Sequence, residues 1–311
     1  MSELVVIVGP TASGKTALGA AFAQRVGGEV VSADAFAVYR GLDIGTAKPE
    51  PALREAVRHH LIDVADPAER YSAGMFVRDA DVAIADILAR GKVPVVVGGT
   101  HFYVRALLFG LFPEPAKDAA VRDELEREWA RDRAQLRARL AALDPAAAAR
   151  IAANDRQRTL RALEVCLTAG RAMSELWREN PRGNPRYAFT LLGIGPDRAE
   201  LHARIAERVD RMFAAGLVDE VRELLAGGLS PGCHALKAIG YRESCRMLAG
   251  ELTVAEAAEA ATAATRKLAK RQMTWLRGET GVQWLAGRGD ELLAVAIGRR
   301  EARGGTGTGP V

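Results

Sequence analysis

The chain has 311 residues, of which 49% are apolar and 26% are charged. This is ordinary globular usage, and it excludes a chain that is disordered throughout. The formal net charge of +4 permits an anionic partner without requiring one. The three cysteines, Cys166, Cys233 and Cys245, are widely spaced and form no CxxC pair, which favours a reducing compartment. The start, MSELVVIVG, shows neither a leader nor a membrane-spanning run, so we expect a cytoplasmic protein with no membrane partner.

The first predicted element is a strand at residues 4–8, LVVIV, a β-branched run typical of a strand buried on both faces of a parallel sheet. It leads into GPTASGKT, which fits the P-loop pattern GxxxxGK[ST] and precedes a helix from Thr16 to about Arg25. Backbone N–H groups of such a loop surround phosphate oxygens, Lys15 would neutralise charge, and Thr16 could ligate Mg²⁺. The predicted diphosphate-binding residues are Gly9, Pro10, Thr11, Ala12, Ser13, Gly14, Lys15 and Thr16.

A second predicted strand, residues 29–32, ends just before Asp34, where open α/β sheets bind ligands. Asp34 is therefore a candidate general base, although it could instead hold Mg²⁺ through water or only cap a turn. A third strand at 93–97 runs into GGT and could face the same ligand. Its Thr100 could donate a hydrogen bond to a substrate oxygen, or it could simply be the N-cap of the next helix.

Between these two strands, Ser72 is predicted to cap a helix that Gly91 ends, and strand, helix, strand predicts a right-handed crossover. Adjacent His59 and His60 in an extended segment point to opposite faces, which favours structural roles over a metal site. The segment LIDV at 61–64 is a weak candidate for the aspartate that an ATPase uses to organise Mg²⁺.

A proline-marked break, FPEPAKD, begins at Phe112 and separates the first part of the chain from a run of charged helices at 118–179. A second break, NPRGNPRY, follows at 180–187. We therefore predict a helical insertion at 113–185. Its inward-facing side chains, at helical spacing, are Val121, Leu125, Trp129, Leu136 and Leu140.

An apolar strand at 189–195 should return the chain to the sheet, and helices are expected over about 198–277. The glycine-rich tail, 301–311, is predicted to be disordered. The core then comprises residues 1–112 and 186–300. The predicted fold class is α/β, with a P-loop NTPase-like parallel sheet flanked by helices and a helical insertion domain.

Seven segments in order between residue 4 and about residue 285 carry a family resemblance: GPTASGKT, SADAFAVYRGLDIGTAKP, HHLIDVADP, GGTHFYVRALL, NDRQRTLRALEV, IGYRE and TRKLAKRQMTWLR. Together they resemble the tRNA dimethylallyltransferases, also called tRNA isopentenyltransferases. The resemblance implies transfer of a dimethylallyl group from dimethylallyl diphosphate to N6 of the adenine 3′ of a tRNA anticodon, with release of pyrophosphate. Lys15, Thr16 and Mg²⁺ would then stabilise the charge of the leaving group.

By this resemblance, Asp34 is the base that takes the N6 proton, and Thr100 lies near the reacting centre. The resemblance also implies an arginine at the diphosphate. Arg204 is favoured for this role, with Arg208 one turn later as its rival.

The sequence departs from the family pattern in two places. Ala35 stands where serine is expected, and this puts one hydrogen bond near the adenine in doubt. His101 and Phe102 replace a small or aliphatic pair after GGT, and His101 could narrow the prenyl pocket or simply pack against it.

An enzyme that acts on a stacked base must extrude it and hold the flanking backbone on a basic surface. The stretch 260–278 has five basic residues, no acidic residue, and Trp275. Without the resemblance this stretch would indicate a solvated basic helix with Trp275 in the core. The resemblance implies that the insertion closes on the anticodon stem-loop, and it implies these tRNA-binding residues: Asp34, Ala35, Phe36, Ala37, Thr100, Arg122, Gln157, Arg158, Thr159, Leu160, Arg161, Lys237, Ala238, Ile239, Gly240, Tyr241, Arg242, Lys270 and Arg271.

Two other functions stay open at the level of sequence. A small-molecule kinase would hold ATP in the P-loop and use Asp34 to activate a hydroxyl. A nucleotide-regulated RNA-binding module would need no chemistry at all. A monomer is our default expectation for the assembly.

Overall fold

The structure is a computed structural model that describes residues 3–111, 118–179, 184–287 and 289–304. In these ranges the strands form one parallel sheet of six, in the order β3-β2-β4-β1-β5-β6. The strands are β1 (Leu4–Val8), β2 (Gly28–Ser32), β3 (His59–His60), β4 (Val93–Gly98), β5 (Phe189–Ile194) and β6 (Gln283–Leu285).

The strands predicted from β-branched runs are confirmed. All five residues of β1 are buried, as expected of a parallel strand covered on both faces. The register pairs Val6 of β1 with Val96 of β4 and with Leu191 of β5. Because β2, β4 and β1 are consecutive in the sheet, the loops after their carboxyl ends lie side by side.

Helices cover the sheet as predicted, and Ser72 accepts a hydrogen bond from Met75 N as the cap of its helix. The helices up to the insertion are α1 (Lys15–Arg25), α2 (Pro51–Ala56), α3 (Ala73–Ala89) and α4 (His101–Phe109). The helices of the insertion are α5 (Ala119–Arg131), α6 (Arg133–Leu143), α7 (Pro145–Arg150), α8 (Arg156–Ala169) and α9 (Met173–Glu179). The remaining helices are α10 (Arg198–Ala214), α11 (Leu217–Ala226), a 3₁₀ turn (Ala235–Lys237), α12 (Tyr241–Leu248), α13 (Val254–Gly278) and α14 (Gly289–Gly304).

The chain divides into two compact units, Met1–Leu108 with Arg186–Val311, and Phe109–Pro185. The second unit has its own core, in which Leu125, Leu136 and Leu140 are buried while Val121 and Trp129 pack against them partly exposed. The inward-facing residues expected of the insertion are thus confirmed. The predicted break at 112–117 lies outside the described residues.

The carboxyl-terminal part departs from the prediction. Strand β6 and helix α14 follow α13, and α14 continues to Gly304, four residues into the segment predicted to be disordered. The reason is packing, since Leu292 and Ala296 of α14 are buried against the core of the sheet. Residues 305–311 lie outside the described part of the chain. None of the described helices is both long and apolar enough to cross a membrane.

In two motifs outside the P-loop, the candidate side chains have protein partners. His60 Nε2 lies 2.7 Å from Glu29 Oε2, and His59 Nδ1 lies 2.7 Å from Val57 O, so both rings have protein partners. In LIDV, the carboxylate of Asp63 accepts hydrogen bonds from Lys48 and, at 2.8 Å, from Arg54. Asp63 therefore forms ion pairs with Lys48 and Arg54.

Candidate active site

The loop between β1 and α1 has the geometry of a phosphate cradle. Gly14 has φ 85° and Ala12 has φ 62°, the left-handed region in which successive N–H groups turn toward one side. Ser13 N donates to Pro10 O at 3.2 Å and tightens the turn. A Cβ on Gly9 would lie 2.7 Å from Ser13 Oγ, so the loop has no room for a larger residue there.

Lys15 opens α1 and aims into this cradle. Its Nζ donates to Pro10 O at 3.3 Å. Burial lowers the pKa of Lys15 to about 8, the positive charge of Arg208 adds to this effect, and the carboxylate of Asp34 opposes it. The side chain is thus a desolvated cation whose neighbours include another cation, which favours an anionic ligand.

Asp34 lies on the loop after β2, which is separated from β1 in the sheet only by β4. Its Oδ1 accepts hydrogen bonds from Phe36 N at 2.9 Å and Ala37 N at 3.1 Å. These two hydrogen bonds are those of an aspartate that caps a turn, which is one of the roles that the sequence allowed for Asp34. The carboxylate charge nevertheless acts on Lys15 and on Arg208, so Asp34 also faces the cradle.

Thr100 links the loops after β2 and β4. Its Oγ1 accepts a hydrogen bond from Ala35 N at 3.1 Å, and its own N–H donates to Ala33 O at 3.2 Å. The hydroxyl proton stays available for donation, since a threonine oxygen accepts and donates at once. Close packing requires glycine beside it, because a Cβ on Gly98 would lie 2.1 Å from Ala33 O.

Gln272 of α13 joins the P-loop to the GGT loop, which sequence reasoning did not foresee. Its Oε1 accepts from Thr11 N at 2.8 Å, and its Nε2 donates to Gly99 O at 2.9 Å. Gln272 is buried. The available signal was its place on the inner face of α13, at helical spacing with Thr265, Ala269 and Leu276, because a buried amide needs partners.

The two candidate arginines of α10 are in different surroundings. Arg204 Nη2 donates to Glu200 Oε1 at 2.5 Å, and 39% of its side chain is exposed. Burial lowers the pKa of Arg208, whose charge acts on Lys15 and whose Nη2 lies 3.5 Å from Thr46 O. The geometry therefore brings Arg208 to the cradle and leaves Arg204 paired on its own helix.

The family-specific segments around DIGTAKP and IGYRE build the frame behind the site. Lys48 is buried and donates to Tyr39 O at 2.7 Å and Asp43 Oδ1 at 2.6 Å. Gly45 packs on the ring of Tyr241, where a Cβ would lie 2.3 Å from Cε2. Tyr241 is fully buried and donates to Glu220, so burial and that carboxylate raise its pKa.

The predicted tRNA-binding residues divide by exposure. Those with exposed side chains are Gln157, Arg158, Lys237, Arg242, Lys270 and Arg271. Those partly exposed are Asp34, Ala35, Phe36, Thr100, Arg122, Arg161 and Ile239. Those buried are Ala37, Thr159, Leu160, Ala238, Gly240 and Tyr241, which belong to the packed interior.

Ion pairs hold two of the partly exposed arginines in the insertion. Arg122 lies 3.2 Å from Glu126, and Arg161 lies 3.0 Å from Glu164. Arg158 lies 3.5 Å from Asp155 and projects further, with 77% of its side chain exposed.

The basic face of α13 borders a cavity. Its volume is about 540 Å³, and its lining residues are Lys267, Lys270, Arg271, Thr274 and Trp275. All three charged residues are basic, as the sequence predicted for this helix. Trp275 is partly buried. Its ring stacks on His101, and the residue also lines the cavity.

The fold and the cradle define an α/β protein of the P-loop NTPase-like class, in which a carboxylate and a threonine from neighbouring strand ends face the phosphate loop. A family model described as IPP transferase matches residues 37–279, and one described as isopentenyl transferase matches residues 2–67. The chain belongs to the IPP transferase family.

Individual relatives agree. The tRNA dimethylallyltransferase of Anaeromyxobacter dehalogenans (strain 2CP-C) is 52% identical over 302 residues, which cover 96% of this chain and 100% of the relative. The crystal structure of the tRNA isopentenylpyrophosphate transferase of Bacillus halodurans is 35% identical with a TM-score of 0.73, over 98% of this chain and 99% of that one. A eukaryotic dimethylallyltransferase whose crystal structures show it acting on tRNA is 27% identical with a TM-score of 0.82, over 97% of this chain and 78% of its own.

Proposed function

We propose that the chain transfers a dimethylallyl group from dimethylallyl diphosphate to N6 of the adenine 3′ of a tRNA anticodon and releases pyrophosphate. One observation carries the proposal beyond family membership. The carboxylate of Asp34 and the ammonium of Lys15 come from different strand ends and act on one another, so that a base and a phosphate ligand share one site. An attacking amine and a departing diphosphate need this pair of groups.

The proposed reaction forms a bond between N6 and the first carbon of the allylic chain and breaks the bond from that carbon to the diphosphate oxygen. Asp34 accepts the proton that N6 loses. Lys15 and the P-loop N–H groups stabilise the negative charge that develops on the leaving oxygen. Support for Arg208 as a further diphosphate ligand comes from its charge beside Lys15, whereas Arg204, which the resemblance favours, is held by Glu200.

Mg²⁺ is a proposed cofactor, and the residues present fit it. Magnesium bound with phosphates keeps several waters and takes only one or two protein oxygens. The hydroxyl of Thr16, at the start of α1, supplies one such oxygen, and no group of three or more His, Cys, Asp or Glu in the described ranges offers a rival cage. When bound, the ion would neutralise charge on the diphosphate.

The exposed basic residues support a tRNA surface. Lys270 and Arg271 lie on the face of α13 that borders the cavity beside Trp275, and Arg158 projects from the insertion. We propose that these side chains bind phosphates of the anticodon stem-loop and that the insertion clamps it, while the target adenine is extruded toward Asp34. We further propose a cytoplasmic monomer, with the location expected from the sequence and the monomer as the default assembly.

The test is incubation of the protein with bulk tRNA, Mg²⁺ and labelled dimethylallyl diphosphate, followed by nucleoside analysis. We expect label on the adenine next to the anticodon. Asp34→Asn should slow transfer by about 100-fold or more, the scale of general base catalysis, while the stem-loop still binds. Asp86→Asn, at a distant exposed carboxylate, is the matched control.

Phosphate transfer from ATP to a small acceptor, with no labelled tRNA, would instead establish the kinase. Wild-type rates in Asp34→Asn would remove Asp34 from the role of base. Both outcomes are read from the same preparations, since the ATP assay uses the same protein and buffer.

A further inference from the structure

His101 is a buried histidine at the edge of the site, and the reaction proposed above gives it no role. It follows Thr100 and is the first residue of α4. Only 6% of the residue is exposed. Its ring stacks on Trp275 of α13, with ring centroids 4.3 Å apart and planes 8° from parallel. The stack fixes the plane in which the imidazole nitrogens lie.

One of those nitrogens is unsatisfied. His101 Nε2 is buried and has no hydrogen-bond partner among the described residues. Buried polar atoms without partners are rare and costly, and a phenylalanine would stack on Trp275 without this cost. A bound molecule that supplies the missing partner resolves the contradiction.

The surroundings indicate what that molecule is. A Cβ placed on Gly99 would lie 3.3 Å from both Cε and Nζ of Lys15, so the chain just before His101 runs along the lysine side chain. Burial and the charge of Lys15 lower the pKa of His101 to about 4, so the ring is neutral at physiological pH. A neutral imidazole offers one N–H donor, and an ammonium beside it attracts anionic oxygens.

A second unsatisfied atom lies in the same cradle. Ser13 Oγ is buried and has no hydrogen-bond partner in the described ranges. Ser13 lies in the P-loop and His101 at the start of α4, and both have buried polar atoms without a hydrogen-bond partner among the described residues. Two such atoms around one desolvated cation are expected of a site completed by an oxygen-rich anion.

We propose that His101 is a substrate-contacting residue whose Nε2–H donates a hydrogen bond to an oxygen of the diphosphate held by Lys15. The proposal rests on the proposed function and adds a ligand to the same site. Trp275 is then a positioning residue that holds the imidazole plane.

The first test uses inorganic pyrophosphate with Mg²⁺ and the full chain labelled with ¹⁵N-histidine. The chain has five histidines, His59, His60, His101, His202 and His234. The His101 signal is assigned by its absence from His101→Phe. We expect Nε2 of His101 to carry a proton and to shift when pyrophosphate binds. Binding that leaves this signal in place, or a shift produced by the anticodon stem-loop and not by pyrophosphate, would overturn the proposal.

The second test separates hydrogen bonding from packing. His101→Phe keeps an aromatic ring against Trp275 and should weaken pyrophosphate binding about tenfold in titration calorimetry, the loss of one hydrogen bond to a charged oxygen. His101→Gln, which can place an amide N–H near the position of Nε2, should recover part of that affinity. His59→Phe is the matched control, since His59 Nε2 is also buried without a partner among the described residues but lies on β3, away from the P-loop.

Wild-type affinity in His101→Phe would overturn the assignment even if the enzyme modifies tRNA normally. A wild-type protein that neither binds pyrophosphate nor modifies tRNA would overturn the proposed function, and this assignment with it. Should His101→Phe fail to fold, His101→Gln lacks the same signal and therefore still assigns it, and the shift of the wild-type Nε2 signal with pyrophosphate then decides the matter.

Discussion

Lys15 shows how single residues of this site are prepared for an anion. Removing an ammonium from water disfavours its charged form, and a second cation nearby adds to the effect. Burial is the largest cause that lowers the pKa of Lys15, and the charge of Arg208 is the second. The carboxylate of Asp34 raises the pKa, and the result is a pKa of about 8. A diphosphate that enters the cradle reverses this balance, because its charge favours the protonated lysine.

Pyrophosphate affinity should therefore depend on pH. The free lysine loses its proton as the pH rises through about 8, whereas the bound diphosphate raises that pKa. Binding above pH 8 should thus take up a proton, and affinity should fall as the pH rises further. Calorimetry at pH 8.5 in two buffers of different ionisation enthalpy measures the uptake. Lys15→Met should bind weakly and lose the effect, and equal uptake in this variant would assign the proton to another group.

The two arginines of α10 give a paired prediction. Arg208→Ala should raise KM for dimethylallyl diphosphate by roughly tenfold or more. The diphosphate would lose the charge-assisted hydrogen bond that the desolvated guanidinium beside Lys15 donates. Arg204→Ala should change it less than threefold, since an exposed pair with Glu200 contributes little. Steady-state kinetics with saturating tRNA measures both variants. The reverse ranking would make Arg204 the functional residue, as the family resemblance favours.

At the scale of elements, the site is an assembly of loops held by one helix. The loops after β1, β4 and β2 come from consecutive strands, and α13 crosses behind two of them through Gln272. Both hydrogen bonds of Gln272 go to backbone groups, Thr11 N and Gly99 O. The amide thereby fixes the distance between the P-loop and the loop that carries Thr100.

Gln272→Leu should impair the site more than the fold. Without the amide, two backbone groups lose their partner, which we expect to cost about 1–3 kcal/mol of stability. The loops should also separate, so KM for the donor should rise several-fold while the affinity for the stem-loop stays unchanged. Urea unfolding and steady-state kinetics measure the two effects. Thr262→Val on the same helix is the control, and a variant that loses stability but keeps its KM would limit Gln272 to a structural role.

The elements that the sequence predicted are those with a local signal. β1 and β4 are continuous apolar runs, α3 has Ser72 as its cap, and the P-loop carries its own pattern. β3 and β6 have only two and three residues, too short for any periodicity to show. Gln272 bonds to Thr11, which is 261 positions away in the sequence, and to Gly99, which is 173 positions away. No local sequence pattern encodes such a long-range pairing.

Helical spacing does not separate Arg204 from Arg208, and Arg204 is favoured through the family resemblance. Both arginines lie on one helix a single turn apart, so helical spacing places them on similar faces. What distinguishes them is the pairing of Arg204 with Glu200 and the burial of Arg208 beside other chain segments. Only the folded arrangement contains that information.

For the molecule as a whole, the net charge of +4 is small and does not show which surface would bind RNA. The charge is instead distributed unevenly. The cavity beside α13 has three basic residues and no acidic one in its lining, whereas Arg122 and Arg161 of the insertion are held by carboxylates. Long-range attraction to RNA should therefore arise mainly from α13 and from exposed arginines such as Arg158.

The salt dependence of stem-loop binding tests this distribution. Each phosphate that a basic side chain neutralises releases condensed counterions, so the logarithm of affinity should fall linearly with the logarithm of salt concentration. Removing Lys270 and Arg271 together should weaken binding and reduce the slope by roughly 1.4–1.8, about 0.7–0.9 for each phosphate that is no longer neutralised. Anisotropy titrations of a labelled anticodon stem-loop at several salt concentrations give both quantities. Arg222→Ala on α11, an exposed arginine outside the proposed surface, is the control and should leave the slope unchanged. An equal reduction by Arg222→Ala would mean that the whole surface, not α13, attracts the RNA.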